Sequence, residues 1–297
     1  MSNLAIKVSN FTKTYGDFIA VDGISFEVNK GEIFGILGPN GAGKTSTLEC
    51  LEGLRIPDGG TIDIMGIDPS KNSKELKNLI GVQLQSSGLP STITVKEAMQ
   101  LFSAYHNVQP RYDLIKRMDL WDKLNIQYSQ LSGGQQKRLL IALAVCHNPQ
   151  ILILDEPTAA LDVESRVELH TLMKELKSQG TTIVLATHDM AEAEKMADRI
   201  AILLKGKIMI IDTPKKIVAS GSSKTKISVR TVGTSLVDLT DIVVDEYYVF
   251  YSDKPGTKVM ELMNVIEEKG DSLIDLRVER PSLEERFLEI TSIGGIQ

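Results

Sequence analysis

The string Gly38-Pro39-Asn40-Gly41-Ala42-Gly43-Lys44-Thr45 constrains this chain more than any other feature. It fits the pattern G-x-x-x-x-G-K-[ST], and its flanks agree with it. Ile33 to Leu37 is a short apolar run, the pattern of a strand buried on both faces. Lys44 to Gly53 carries Leu48 and Leu51 at helical spacing. Strand, glycine-rich loop and helix together make a cradle for polyphosphate. Glycines let successive N–H groups turn inward, and the helix N-terminus adds positive potential. Lys44 supplies a mobile charge for the β- and γ-phosphates, and the Thr45 hydroxyl a ligand for Mg²⁺.

A second apolar run, Ile151 to Leu154, ends in Asp155-Glu156-Pro157. That places two carboxylates at the C-terminal edge of a strand, where parallel sheets bind ligands, and alternation sends them in different directions. Asp155 is expected to hold Mg²⁺, directly or through water, and Glu156 to polarise an attacking water. Read alone, the pair is also an ordinary acidic strand end. Leu131-Ser132-Gly133-Gly134-Gln135 precedes an apolar stretch, Leu139 to Cys146. Its N–H groups at a helix start offer a second anion site, although Ser132 is equally a plain N-cap. One nucleotide rarely needs two such sites from one chain, so the second is expected to serve another subunit's nucleotide.

Length and composition bound the rest. At about 150 residues per domain, 297 residues suggest two domains. A net charge of −6 argues against a general binder of nucleic acid or anionic membrane. Two cysteines, Cys50 and Cys146, exclude a disulfide scaffold and are expected in apolar helix faces. Met1 to Lys7 has no signal-like apolar segment. The longest apolar run is Leu139 to Cys146, whereas a bilayer span needs about 20 residues.

Residues 4–8 and 24–28 alternate as half-buried strands. The stretch 91–131 reads as mostly helical, 163–176 as a helix stopped at Gly180, 182–186 as a buried strand and 190–196 as a helix. Residues 200–204 and 207–211 read as a hairpin through Gly206. Ser220 to Ser223 is the linker candidate. Beyond it, strands at 226–230, 247–251 and 273–278 and helices at 259–268 and 282–290 make a small α+β domain. The expected layout is a cassette over 1–219, with a helical subdomain at about 86–150. A linker at 220–224 and an accessory α+β domain over 225–297 follow.

In the order and spacing of Lys44, Ser132 to Gln135, Asp155 and His188, the chain resembles the ATP-binding cassette (ABC) ATPases over roughly residues 4–218. The resemblance implies an α/β fold: a P-loop NTPase core with a mixed sheet, an N-terminal antiparallel β-subdomain and a helical subdomain. It implies ATP and Mg²⁺ as ligands. ATP would lie on residues 38–46, Gly38 through Ser46. Tyr15 looks like the aromatic that stacks on adenine. Gln85 looks like the glutamine that touches Mg²⁺ and the attacking water, with Gln83 close enough to compete. Asp162, in Ala160-Leu161-Asp162, looks like the loop bridging two ATP sites, and His188 like the γ-phosphate contact. Catalysis would fall to Glu156, His188, Lys44 and Gln85, and metal binding to Thr45, Gln85 and Asp155. Ala159-Ala160 departs from the family, where Ser/Asn-Gly is frequent before Leu-Asp.

The same resemblance implies a homodimer or heterodimer of ATPase subunits and a separate polytopic permease, with no nucleic-acid partner. The chain would be cytoplasmic, held on the inner face of the cell membrane by its permease. In the family, the helical subdomain and the glutamine loop form the groove for a permease coupling helix, here about Gln85 to Leu131. Leu51-Glu52-Gly53-Leu54-Arg55 and the stretch Arg280 to Thr291 are similar to type-2, drug-resistance-like exporter ATPases. The alternatives are an importer ATPase with a regulatory C-terminal domain and a soluble ABC ATPase of translation or repair.

Overall fold

The computed structural model describes residues 3–71, 74–83, 88–221, 224–240 and 242–294. The chain divides into two compact units, 1–214 and 215–297. In chain order the first contains β1 (Leu4–Tyr15), β2 (Phe18–Asn29), β3 (Ile33–Leu37), α1 (Lys44–Leu51), β4 (Gly59–Ile64), α2 (Lys74–Leu79), β5 (Ile80–Gln83), α3 (Val95–Tyr105), α4 (Tyr112–Arg117) and α5 (Gly133–Val145). It continues with β6 (Ile151–Asp155), α6 (Val163–Ser178), β7 (Thr182–Thr187), α7 (Met190–Met196), β8 (Arg199–Leu204) and β9 (Lys207–Asp212).

Six strands form a mixed sheet in the order β5-β6-β7-β3-β8-β9, parallel except for the β8–β9 hairpin. The central strands β3, β6 and β7 are buried at every residue, as their unbroken apolar runs require. A second, antiparallel sheet, β2-β1-β4, lies beside it. Phe26 of β2 stacks on Phe34 of β3 with centroids 5.3 Å apart, so one apolar cluster is shared by the two sheets. The strand Gly59–Ile64, which pairs with β1, is absent from the sequence reading because its glycines mask the alternation.

The stretch 91–131 is helical only in α3 and α4, with short 3₁₀ turns at Trp121–Lys123 and Tyr128–Gln130 between α4 and α5. A capping box between Thr94 and Glu97 starts α3, and Val95, Ala98 and Met99 form its buried stripe. The β8–β9 turn holds Lys205 and Gly206 both at positive φ, the geometry a two-residue hairpin demands. Cys50 and Cys146 are both buried thiols. No helix among the described residues is long and apolar enough to cross a membrane.

The second unit begins within α8 (Pro214–Ala219), a few residues ahead of the boundary expected at 219. It holds β10 (Thr225–Thr231), β11 (Val243–Val244), β12 (Tyr247–Ser252), α9 (Pro255–Glu268), β13 (Leu273–Glu279) and α10 (Leu283–Gly294). The strands form an antiparallel sheet in the order β11-β12-β10-β13. Leu262 and Ile266 of α9 pack on Ile227, Val229 and Phe250 to give this unit its own small core. Ser222 and Ser223 of the expected linker lie outside the described residues.

Candidate functional site

The loop after β3 is shaped by what its glycines exclude. A Cβ on Gly38 would stand 2.3 Å from the Leu203 carbonyl oxygen, and one on Gly43 would stand 2.5 Å from that of Ala20. Gly43 also holds φ at 104°, a region other residues rarely enter. The loop therefore closes tightly on β2 and β8. Gly43 is the N-cap of α1 and provides no side-chain bond, so the first N–H groups of the helix are left for an anion. Pro39, Asn40 and Gly41 are exposed, whereas Ala42 is buried in the core.

Lys44 is 6% exposed, and its Nζ donates to the carbonyl oxygens of Gly38 (2.8 Å) and Pro39 (3.2 Å). The same Nζ lies 3.6 Å from Glu156 Oε1. On the neighbouring residue, Thr45 Oγ1 donates to Asp155 Oδ2 at 3.0 Å. Asp155 Oδ1 is buried with no hydrogen-bond partner among the described residues. Burial is the main cause holding the Asp155 carboxyl above its ordinary range, with the Thr45 bond and the charges of Lys44 and Lys137 opposing it. A cation between Thr45 and Asp155 would satisfy the orphaned oxygen, and the hard-oxygen donor set suits Mg²⁺.

Asp155 and Glu156 diverge as alternation requires, and the backbone sharpens the divergence. Asp155 ends β6, while Glu156 sits at φ 50°, in the left-handed region. The Glu156 carboxylate lies between Lys44 and His188, whose Nδ1 is 2.7 Å from Glu156 Oε2. His188 follows the end of β7 and is largely exposed. Lys44, Thr45, Asp155, Glu156 and His188 thus converge from the C-terminal ends of three adjacent strands, the ligand edge of a parallel sheet.

A cavity of about 310 Å³ opens from this cluster. Tyr15, Phe18, Asn40, Ser46 and Glu156 are among its lining residues. Tyr15 and Phe18 pair across the two-residue turn Gly16-Asp17, which sets the two rings beside the loop. The Tyr15 hydroxyl donates to Ser46 Oγ at 3.3 Å, and the Arg55 guanidinium lies 5.3 Å from the Tyr15 ring centroid. Ser132 and Asp162 do not reach this cavity. Ser132 caps α5 in a capping box with Gln135, and Ser132 and Gly133 are exposed. Asp162 caps α6, accepting from Ser165 N at 2.8 Å, and these bonds hold its carboxyl below the usual range. A Cβ on Gly134 would come within 3.3 Å of the Ala160 carbonyl oxygen, so the two caps are neighbours. Gln85 lies outside the described residues.

Lys137 and Glu192, absent from the sequence reading, support the cluster, as does Gln83, which was read only as a competitor of Gln85. The Asp155 carbonyl oxygen accepts from Lys137 Nζ at 3.2 Å and from Gln83 Nε2 at 3.4 Å. Both side chains are buried, and burial lowers the pKa of Lys137. Lys137 stands beside Arg138 and the two glutamines of the first turns of α5, so no sequence signal singles it out. Glu192 is 3% exposed and accepts from Thr158 Oγ1 (3.0 Å) and Thr187 Oγ1 (2.9 Å), with His170 Nε2 3.2 Å away. It ties the residues after Glu156 to the one before His188. No spacing rule points to it.

The chain is similar to known proteins in sequence and in fold. A sequence family described as ABC transporter matches residues 21–159. The chain is 33% identical over 307 residues to the daunorubicin resistance ATP-binding protein DrrA3 of Streptomyces coeruleorubidus, across 98% of this chain and 97% of that protein. It is 32% identical over 305 residues to the Nod factor export ATP-binding protein I of Sinorhizobium fredii, across 98% of this chain and 87% of that protein. Among solved structures, the ATP-binding subunit of an ABC transporter superposes with a TM-score of 0.68 at 25% identity, covering 72% of this chain and 92% of that one. A dimeric ATP-binding cassette in a post-hydrolysis state with ADP and Pi gives 0.65 at 30% identity, covering 70% and 98%.

Proposed function

This chain belongs to the ABC transporter family as an ATP-binding subunit, and we propose that it hydrolyses ATP at a site shared between two copies to drive a separate membrane permease in export. The convergence of Lys44, Thr45, Asp155, Glu156 and His188 at one sheet edge carries the reading. Export is favoured because the likeness to the resistance and Nod factor proteins extends over 98% of the chain, the second unit included.

In this scheme Tyr15 stacks on the adenine, and the N–H groups of Gly38 through Ser46 hold the phosphates. Lys44 leaves its carbonyl partners for the β- and γ-phosphate oxygens. Thr45 and Asp155, with Gln85 as a further ligand, would hold Mg²⁺, which would neutralise phosphate charge. Glu156 accepts a proton from water as the water oxygen bonds to the γ-phosphorus. The bond from that phosphorus to the β–γ bridging oxygen breaks, leaving ADP and phosphate. His188 donates to the γ-phosphate and keeps Glu156 oriented. These carboxylate and positioning effects supply the rate, as in other phosphoryl transfers.

Ser132, Gly133, Gly134 and Gln135 of the opposing copy close over the γ-phosphate, with Asp162 beside the joint. Ser132 and Gly133 are exposed and do not line the chain's own cavity, which supports this division. The triphosphate then acts as a removable contact between copies, and hydrolysis loosens it.

The test is a detergent extraction of the tagged chain from its own cells, followed by an ATPase assay. The reading expects a stoichiometric polytopic membrane protein and Mg²⁺-dependent hydrolysis that Lys44→Ala abolishes through loss of ATP binding. Recovery with ribosomes or nucleic acid, or unchanged ATP affinity in Lys44→Ala, would contradict it.

A further inference from the structure

The buried groups that the hydrolysis scheme leaves unused include a carboxyl on which three side chains converge. Glu192 sits in the first turn of α7 and is 3% exposed. Its Oε2 accepts from two buried hydroxyls, Thr158 Oγ1 at 3.0 Å and Thr187 Oγ1 at 2.9 Å. Its Oε1 lies 3.2 Å from Nε2 of the buried His170 on α6. A buried carboxyl is costly unless its oxygens are hydrogen-bonded, so displacing any of these partners is penalised.

Two of the partners flank the contact that joins Glu156 to His188. Thr187 is the residue before His188, and its hydroxyl also accepts from Asp189 N at 3.0 Å. Asp189 in turn caps α7, accepting from Glu192 N at 2.9 Å. Both neighbours of His188 are therefore tied to Glu192. Thr158 stands two residues after Glu156, in a turn whose next residue, Ala159, donates its N–H to the Glu156 carbonyl oxygen at 3.3 Å. β6 ends at Asp155 and β7 at Thr187, and past those ends Glu192 bridges the two corners.

We infer that Glu192 is a positioning residue: it sets the corner after β6 against the corner after β7, and so fixes the separation of Glu156 from His188. The inference rests on the reading that these two residues serve hydrolysis. A misplacement of about 1 Å in such a pair costs on the order of 10² in rate. A side chain of similar volume that cannot accept would let the corners drift, whereas an amide oxygen can still take both hydroxyls. The amide nitrogen would then face His170 and move the ring proton to Nδ1, which is buried with no partner among the described residues. That exchange costs stability and leaves the corners in place.

The experiment measures steady-state ATPase kinetics, ATP affinity and melting temperature of the full chain carrying Glu192→Met or Glu192→Gln, each also combined with His188→Ala. Glu192→Met is expected to lower kcat by about 10–100-fold, with KM and ATP affinity within about threefold of the parent. Glu192→Gln is expected to melt lower and yet keep kcat within about threefold. Combined with His188→Ala, Glu192→Met should cost less than about threefold further, because the contact it serves is already gone. Should Glu192→Met fail to fold, Thr158→Val and Thr187→Val each remove one hydroxyl and are expected to lower kcat by about tenfold. Parental kcat in Glu192→Met or in both valine variants, an equal fall in Glu192→Gln, or an undiminished loss beside His188→Ala would overturn the inference. A parent chain without ATPase activity would instead overturn the hydrolysis reading, and this inference with it.

Discussion

Glu156 Oε2 and His188 Nδ1 lie 2.7 Å apart, joining the residue after β6 to the residue after β7. A proton acceptor and the group that orients it act as one unit, so their removal is not additive. Glu156→Gln is expected to lower kcat by about 10²–10⁴-fold with ATP affinity kept. His188→Ala should also lower kcat, and the double variant should fall little below Glu156→Gln. Single-turnover kinetics on the three variants measures this; multiplicative losses would show that the two residues act separately.

Asp155 keeps one oxygen on Thr45 and leaves the other orphaned and buried. Asp155→Asn and Thr45→Val are therefore expected to raise the Mg²⁺ concentration needed for half-maximal turnover by about tenfold or more. ATP binding measured with EDTA present should change much less. A loss of metal-free nucleotide affinity as large as the loss of Mg²⁺ response would assign these side chains to the fold instead.

Ala160 holds φ at 64°, where the family resemblance leads one to expect glycine. The left-handed conformation costs an alanine about 1–2 kcal/mol, and glycine's extra freedom in the unfolded chain costs about 0.4–1 kcal/mol. The first term wins. Ala160→Gly is expected to raise stability by about 0.5–1 kcal/mol, read from denaturant midpoints. A lower midpoint would mean that neighbouring contacts, and not backbone strain, govern the position.

Glu52, buried just past the end of α1 with neither carboxyl oxygen hydrogen-bonded among the described residues, gives a pH signature. Its folded pKa, about 8, stands above its ordinary 4.5, so its contribution to stability is full at acid pH and is lost as pH climbs through that window. Glu52→Gln removes this dependence. The variant is expected to melt on the order of 5 °C above the parent at alkaline pH, and the gap should close toward acid pH. Parallel melting curves at all pH values would contradict the buried, unpaired carboxyl.

Where sequence and structure agree, they do so because the deciding interactions are local. Short apolar runs marked β3, β6 and β7, because burial on both faces leaves no polar residue to interrupt them. The phosphate loop was legible because close approach and positive φ admit only glycine at Gly43. The third strand of the antiparallel sheet was not, because Gly59–Ile64 is held by pairing with β1, far earlier in the chain, through partners such as Ile6 with Ile64. Glu192 and Glu52 were equally silent. Glu192 reads as a surface acid on α7 and Glu52 as one just past the end of α1, and only tertiary packing buries them. Ser132 shows the opposite limit: its N-cap reading is correct in the single chain, and the second use proposed for it needs a neighbouring copy.

The claim on which the rest depends is that a catalytic pocket needs two copies. Size-exclusion chromatography with light scattering on Glu156→Gln, with and without saturating ATP, tests it most directly. The account predicts a monomer without nucleotide and a stable dimer with it, abolished by adding Ser132→Arg. A Glu156→Gln chain that stays monomeric in ATP, or a Ser132→Arg chain in the parental background that hydrolyses ATP at the parental rate, would contradict it.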